Sequence, residues 1–265
     1  MIPDPSAGRS AANIAEAANA LWSSHATSLL ATDFAAQGIP VMVLKGPPLQ
    51  QRLLGTESAY PSVDVDLLVH RRQAREARVR LRRAGWRIRP DNGLLWRLDR
   101  AQAFERNGVV IDLHWGLHLG SVPPRTLAPL EVAIWTGAIR AEGGWWEPRP
   151  EPLLVYLALH AAAFGFSKPA RLLLVHGAAC LVDNWVEVEA LSRSVDAWPA
   201  VAHAVGSAQG DTTQRRPPLL AGVKGRLLMT GMSLVCSRLV PEPARRALRK
   251  VRDNLGARKR SGPVC

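Results

Sequence analysis

The sequence predicts an α+β protein, with strands and helices interspersed over the first half and helices in the stretch that follows. Three observations carry that expectation. Ile39–Leu44, Asp64–Val69 and Val109–Trp115 are short apolar runs of strand length. Segments of helical composition lie before and between them, and from Leu153 to about Val205 alanine and leucine content points to helices. The chain divides accordingly into an N-terminal helical segment (1–37), a core (38–150), a helical region (151–205), and a linker with a basic tail (206–265).

Taken in order, Ile14, Ala17, Leu21, Leu29 and Phe34 recur at helical spacing, so one or two helices should fill residues 11–37 and stop at Gly38. Ile39–Leu44 then reads as a buried strand closed by Lys45-Gly46-Pro47-Pro48, whose prolines suit the first turn of a helix running to Gly55. A loop from Thr56 to Val63 leads into the strand Asp64–Val69. Residues 70–84 are helical in composition, with Gly85 as the C-terminal stop. Short strands are expected at Trp86–Ile88, at Leu94–Leu98 and around Phe104, with a turn at Asp91-Asn92-Gly93. Val109–Trp115 is the third strong strand. Pro123-Pro124 and Pro148–Pro152 punctuate the chain, and 206–218 is the best linker.

A composition of 47% hydrophobic and 21% charged residues excludes collagen-like, disordered and disulfide-scaffold chains. Cys180, Cys236 and Cys265 are far apart with no paired spacing, which favours a reducing compartment over a structural zinc. The opening residues lack a basic run followed by an apolar core, so a cytoplasmic location is expected. Leu219–Val240 is interrupted by Lys224, Arg226 and Arg238 and suits an amphipathic or buried helix better than a membrane span. The formal net charge of +12 is unevenly placed, for residues 214–265 hold 13 Lys and Arg against only Glu242 and Asp253. Such a tail suits contact with a nucleic acid or another anionic surface, or is simply a solvated end.

Chemistry concentrates elsewhere. Strand positions i and i+2 point the same way about 6.5–7 Å apart, so Asp64 and Asp66 can aim two carboxylates at one site. On an apolar strand these repel unless a cation compensates them, and carboxylate oxygens suit Mg²⁺. Asp112 places a third acid on another apolar strand, enough for a two-metal phosphoryl or nucleotidyl transfer site. Lys45 offers a positive charge to a triphosphate, and Gly46 lets phosphate approach backbone N–H groups. His114 shares a face with Asp112 as a substrate or metal contact or a structural histidine, whereas His160 and His176 suit packed roles. Asp183 is a candidate supporting acid, and Trp145-Trp146 a candidate exposed aromatic pair. Residues 71–89 hold nine arginines against Glu76, enough to steer nucleotides or bind RNA phosphates, although arginine is favoured over lysine along the whole chain. No hydrolase elbow, Walker loop or dinucleotide fingerprint is present.

Taken together, Val43-Leu44-Lys45-Gly46, Tyr60-Pro61-Ser62-Val63-Asp64-Val65-Asp66, Gly85-Trp86 and Ile111-Asp112-Leu113-His114-Trp115 resemble the uncharacterised nucleotidyltransferase family of the polymerase β superfamily, over roughly residues 35–195. The resemblance implies a polymerase β-type nucleotidyltransferase fold, a small mixed sheet flanked by helices and followed by a helical C-terminal region. It makes Asp64, Asp66 and Asp112 the metal-binding and catalytic acids, and sets Lys45 and Gly46 at the nucleotide. The activity implied is Mg²⁺-dependent transfer of an NMP group from an NTP, such as ATP, to an acceptor hydroxyl with release of pyrophosphate. The acceptor stays open among proteins or peptides, small molecules and RNA. Two positions depart from the family pattern: Tyr60 stands where arginine is usual, and Val63 where a small residue is common. The first departure keeps a second function in view, a catalytically silent member of the fold that binds a nucleic acid or protein through its basic tail.

Overall fold

The computed structural model describes residues 5–62, 64–89, 100–119, 122, 124–163, 166 and 169–208. The strand at Leu94–Leu98, the turn at Asp91–Gly93, most of the linker and the basic tail fall outside the described residues. One long helix, α1 (Pro5–Ala35), precedes β1 (Val41–Lys45) and α2 (Pro47–Leu54). Then come β2 (Val65–Val69), a single 3₁₀ turn, α3 (Ala74–Arg83), β3 (Arg87–Ile88), β4 (Ala101–Arg106) and β5 (Val109–His114). Next are α4 (Ala128–Trp135) and a minimal hairpin of β6 (Ile139–Arg140) and β7 (Trp146–Glu147), all unforeseen in the sequence. Four helices follow: α5 (Pro150–Ala163), α6 (Pro169–Cys180), α7 (Trp185–Ser194) and α8 (Trp198–Ala208). Among the described residues no helix is long and apolar enough to cross a membrane.

The strands form one mixed sheet in the order β3-β4-β5-β2-β1-β7-β6. β2 lies at its centre, antiparallel to β1 and parallel to β5. All five β2 residues are buried, as expected of a strand covered on both faces. β5 alternates instead, with Val109, Ile111 and Leu113 buried and Val110, Asp112 and His114 less so. Leu30 and Phe34 of α1, Leu81 of α3 and Phe104 of β4 join Ile111 and Leu113 in a continuous apolar core. The side chain of Gln102, next to Phe104, accepts a 2.7 Å hydrogen bond from Arg78 of α3.

The helical region continues the same core. α5 is apolar nearly all round and buries most of its length, as a helix surrounded by others must. It packs against α4, α6, α7 and α8, and α6 also packs against α2. At the α2–α6 crossing Gly177 lies so close that a β-carbon there would stand 2.7 Å from the Leu53 carbonyl oxygen and 3.0 Å from Leu53 Cβ. A methyl group cannot enter without moving backbone. Gly177→Ala should therefore lower unfolding free energy by about 1–3 kcal/mol through overpacking, although alanine in an open helix would gain about 1 kcal/mol over glycine. Urea unfolding of the two proteins checks the sign.

Candidate active site

Three neighbouring strands place the charged residues in one lateral row. Asp66 of β2 is the register partner of Asp112 on β5, and Lys45 of β1 is the partner of Asp66 on its other side. The second pairing depends on a β-bulge. Up to Val43↔Leu67 the β1–β2 ladder is regular, and continued regularly it would set Lys45 opposite Val65, on the face of Val41 and Val43. The irregularity between Val43 and Lys45 sets the lysine opposite Asp66 instead, on the acidic face. Its ammonium lies 2.9 Å from Asp66 Oδ2 and 3.5 Å from Asp64 Oδ2. Asp64 sits just before β2, and one oxygen from each of Asp64, Asp66 and Asp112 lies within 4.8 Å of the others.

Local chemistry fixes the flanking turns. Gly46 has φ +110°, and a β-carbon there would come within 3.1 Å of the Asp64 carbonyl and Val65 Cα, so glycine lets β1 leave the sheet tightly against the acids. Ser62 Oγ donates to the Asp64 carbonyl at 3.0 Å, and the Tyr60 N–H donates to Gln50 Oε1 of α2 at 3.2 Å. These bonds moor the loop that carries Asp64.

The electrostatics are those of a crowded anionic site. Asp66 is 4% exposed. Burial works against its charge, but Lys45, by its charge and its hydrogen bond, outweighs it and holds the carboxyl below the usual range. For Lys45, burial is likewise outweighed by Asp66, Asp64 and Asp112, which hold the ammonium well above the ordinary lysine range. For Asp112 the balance goes the other way: burial, then Asp66 and Asp64, push it up to about 6, and Lys45 and Arg89 offset this only in part. Burial depresses His114, and it takes His160 on α5 down to about 3, so both rings stay neutral at pH 7. Burial raises Tyr156 of α5 well above the usual phenol range and Tyr60 to about 12. Arg171 of α6, lowered by burial, is held up by Asp64, Asp66 and Tyr60, which places its guanidinium in the field of the acids.

The donor set suits a hard divalent cation. The oxygens are convergent carboxylates, and Asp66 Oδ1 is buried without a hydrogen-bond partner, a lone pair that a cation would satisfy.

The structure thus brings together Lys45, Gly46, Asp64, Asp66 and Asp112. Lys45, expected at a strand end and turn, belongs to the strand itself. The Gly46 turn supplies few backbone donors, because Pro47 and Pro48 have no N–H and those of Leu49 and Gln50 bond to the Gly46 carbonyl at 3.1 Å. His114 lies beside Asp66 as a buried neutral ring, and its Nε2 has no hydrogen-bond partner. His160, expected to be merely packed, also faces this site. Asp183 is exposed in the turn between α6 and α7, outside the acid cluster, and His176 is exposed. Trp145 and Trp146 are not an exposed pair, since both are half-buried against the core. Sequence reading missed Tyr156 and Arg171. For Tyr156 a signal existed, its i,i+4 spacing from His160 on one helix face.

A mixed sheet that gathers three carboxylates beside a lysine is suited to phosphate chemistry with a divalent cation. The family model of the uncharacterised nucleotidyltransferases matches residues 8–205, and the chain belongs to that family of nucleotidyl-transferring enzymes. Among solved structures, that of the antibiotic-resistance factor ANT(2'')-Ia is similar at a TM-score of 0.44 and 13% identity, covering 74% of this chain and 98% of that one. No curated protein matches the sequence significantly.

Asp112 yields a prediction whose sign follows from linkage. Its folded pKa of about 6 lies above the ordinary value of 3.8, so its ionisation destabilises the metal-free protein, and that penalty grows from about pH 4 to 6 and is full above. Asp112→Asn should raise unfolding free energy at pH 7.5 by about 1–2 kcal/mol after allowance for its partial exposure, and the gain should vanish below about pH 4. Millimolar Mg²⁺ should stabilise the wild type and not the variant. Chemical unfolding across pH, with and without Mg²⁺, measures both.

Proposed function

We propose that the protein transfers an NMP group from an NTP to an acceptor hydroxyl in a Mg²⁺-dependent reaction. The observation that carries this is the row of Lys45, Asp66 and Asp112, with Asp64 closing the cluster. Asp64, Asp66 and Asp112 would hold the divalent cations, which when bound supply charge neutralisation at the phosphates and at the attacking and leaving oxygens. The acceptor oxygen bonds to the α-phosphorus, the bond from that phosphorus to the bridging oxygen breaks, and pyrophosphate leaves with the electron pair. Asp112, the member of the cluster that Lys45 does not engage, would receive the hydroxyl proton. A cytoplasmic setting belongs to the same proposal.

The triphosphate needs cations, since the Gly46 turn has few N–H donors. Lys45 neutralises Asp64 and Asp66 and stands beside them for the phosphates. Arg171 supplies the second charge. Tyr60 occupies the position where the family pattern has arginine, and Arg171 lies within electrostatic reach of Tyr60, Asp64 and Asp66, so a guanidinium from α6 takes over that task.

Calorimetric titration with each NTP and Mg²⁺ tests the assignment. The wild type should bind, and Asp64→Ala/Asp66→Ala should not. Arg171→Ala should weaken binding by about tenfold or more, the scale of a charge-assisted hydrogen bond, and Tyr60→Arg in that background should restore it. A folded wild type that binds no NTP would favour the catalytically silent alternative.

A further inference from the structure

The catalytic row continues past Asp112. Across β4 its register partner is Ala103, whose carbonyl accepts a 3.1 Å hydrogen bond from the N–H of Arg89. This extends the β3–β4 pairing in which Arg87 faces Glu105. Direct partners share a face and strand positions alternate, so Arg87 and Arg89 project on the same face as Asp112 and Asp66. The full row therefore reads Lys45, Asp66, Asp112, Ala103, Arg89, with a cation at each end. Two strand spacings, about 10 Å, separate Asp112 from Arg89.

Beside this end of the row lies a surface cleft of about 480 Å³ lined by Arg87, Arg89, Glu105 and Arg106 among others. Arg87 and Arg106 are exposed, and Glu105 engages Arg89 at 3.9 Å, so the described lining of the cleft is net positive. It sits across Asp112 from Lys45, opposite the side where Lys45 and Arg171 serve the triphosphate. Arg89 belongs to both places: it lines the cleft and acts electrostatically on Asp112.

We propose that this cleft is the acceptor subsite and that it takes an acceptor carrying a phosphate group close to the reacting hydroxyl. The inference rests on the nucleotidyl-transfer assignment above. Guanidinium forks match phosphate oxygens in pairs, and a cationic acceptor would be repelled. An acceptor anchored by its phosphate on Arg87 and Arg89, the two arginines that share the face of Asp112, presents its hydroxyl toward Asp112, on the side away from the departing pyrophosphate. A small phosphorylated alcohol and an RNA terminus offer the same chemistry.

Arg87→Ser/Arg106→Ser alters the cleft without touching the catalytic row. The wild type and this variant are compared, with Mg²⁺ and a non-hydrolysable NTP analogue present, for binding of glycerol 3-phosphate by calorimetry and of a fluorescent single-stranded RNA dodecamer by anisotropy. The wild type should bind one of the two probes, and the variant should bind it about tenfold or more weakly while its affinity for the NTP analogue is unchanged. Binding of the RNA alone assigns the acceptor to a nucleic-acid end, and binding of glycerol 3-phosphate a small phosphorylated alcohol. A wild type that binds the NTP analogue but neither probe, or a variant with undiminished probe affinity, overturns the subsite alone. A wild type that fails to bind the NTP analogue overturns the nucleotide site, and the subsite with it.

Discussion

Mutual repulsion among three carboxylates, converging to within 4.8 Å on the central strands of a sheet, is the constraint around which the molecule is organised. Such a cluster is relieved by a proton held on one of its members or by a neighbouring cation. The chain supplies one of its own, Lys45, and the bulge in β1 is the device that turns this lysine to the acids. The lysine satisfies Asp66 Oδ2 and approaches Asp64, yet Asp66 Oδ1 stays unpartnered and Asp112 is left straining toward its neutral form. The cluster thus keeps an unmet lone pair on Asp66 Oδ1 and a carboxyl at Asp112 that resists ionisation, both of which a divalent cation would relieve.

The rest of the fold serves this arrangement. Parallel pairing of β2 with β5 puts Asp66 beside Asp112, and a parallel neighbour requires a long connection, here the path through α3, β3 and β4. That path returns the chain along the outer side of β5 and leaves Arg89 at the end of the row. On the acidic face, α5 brings Tyr156 and His160 to the site, both neutral at pH 7 through burial, so they lower the local polarity without adding charge. α6, fitted closely to α2 at Gly177, carries Arg171 into the field of the acids. The helical region is therefore a wall of the site as well as a continuation of the core.

What the sequence disclosed followed from short-range periodicity. Asp64 and Asp66 were legible from their i, i+2 spacing at an apolar run, although Asp64 sits just before β2 rather than in it, and Asp112 from its joint appearance with them, since alone it reads as a strand-edge or capping acid. α2 was legible from its two prolines. The lateral register was not: Asp66 opposite Asp112 is a long-range choice of strand order, and a bulge at Lys45 leaves no mark in composition. β6 and β7 are two residues each, too short for any periodic signal, and the hairpin they form half-buries Trp145 and Trp146. Asp183, a candidate supporting acid in the sequence, lies instead exposed in the turn between α6 and α7. Arg171 carried no signal along the chain because it reaches the site from α6, and Arg89, although one of the nine arginines of 71–89, could not be singled out among them because its place at the end of the row depends on the pairing of β3 with β4.

The central claim is that Asp64, Asp66 and Asp112 form one divalent-cation site. Electron paramagnetic resonance of Mn²⁺ titrated into the protein tests it most directly, because free and bound ions are counted separately and no acceptor is needed. Saturable Mn²⁺ binding that is strengthened by an NTP analogue and lost in Asp66→Asn is the result expected. Absence of bound Mn²⁺ at millimolar concentration in the folded wild type, or equal binding by Asp66→Asn, would contradict it.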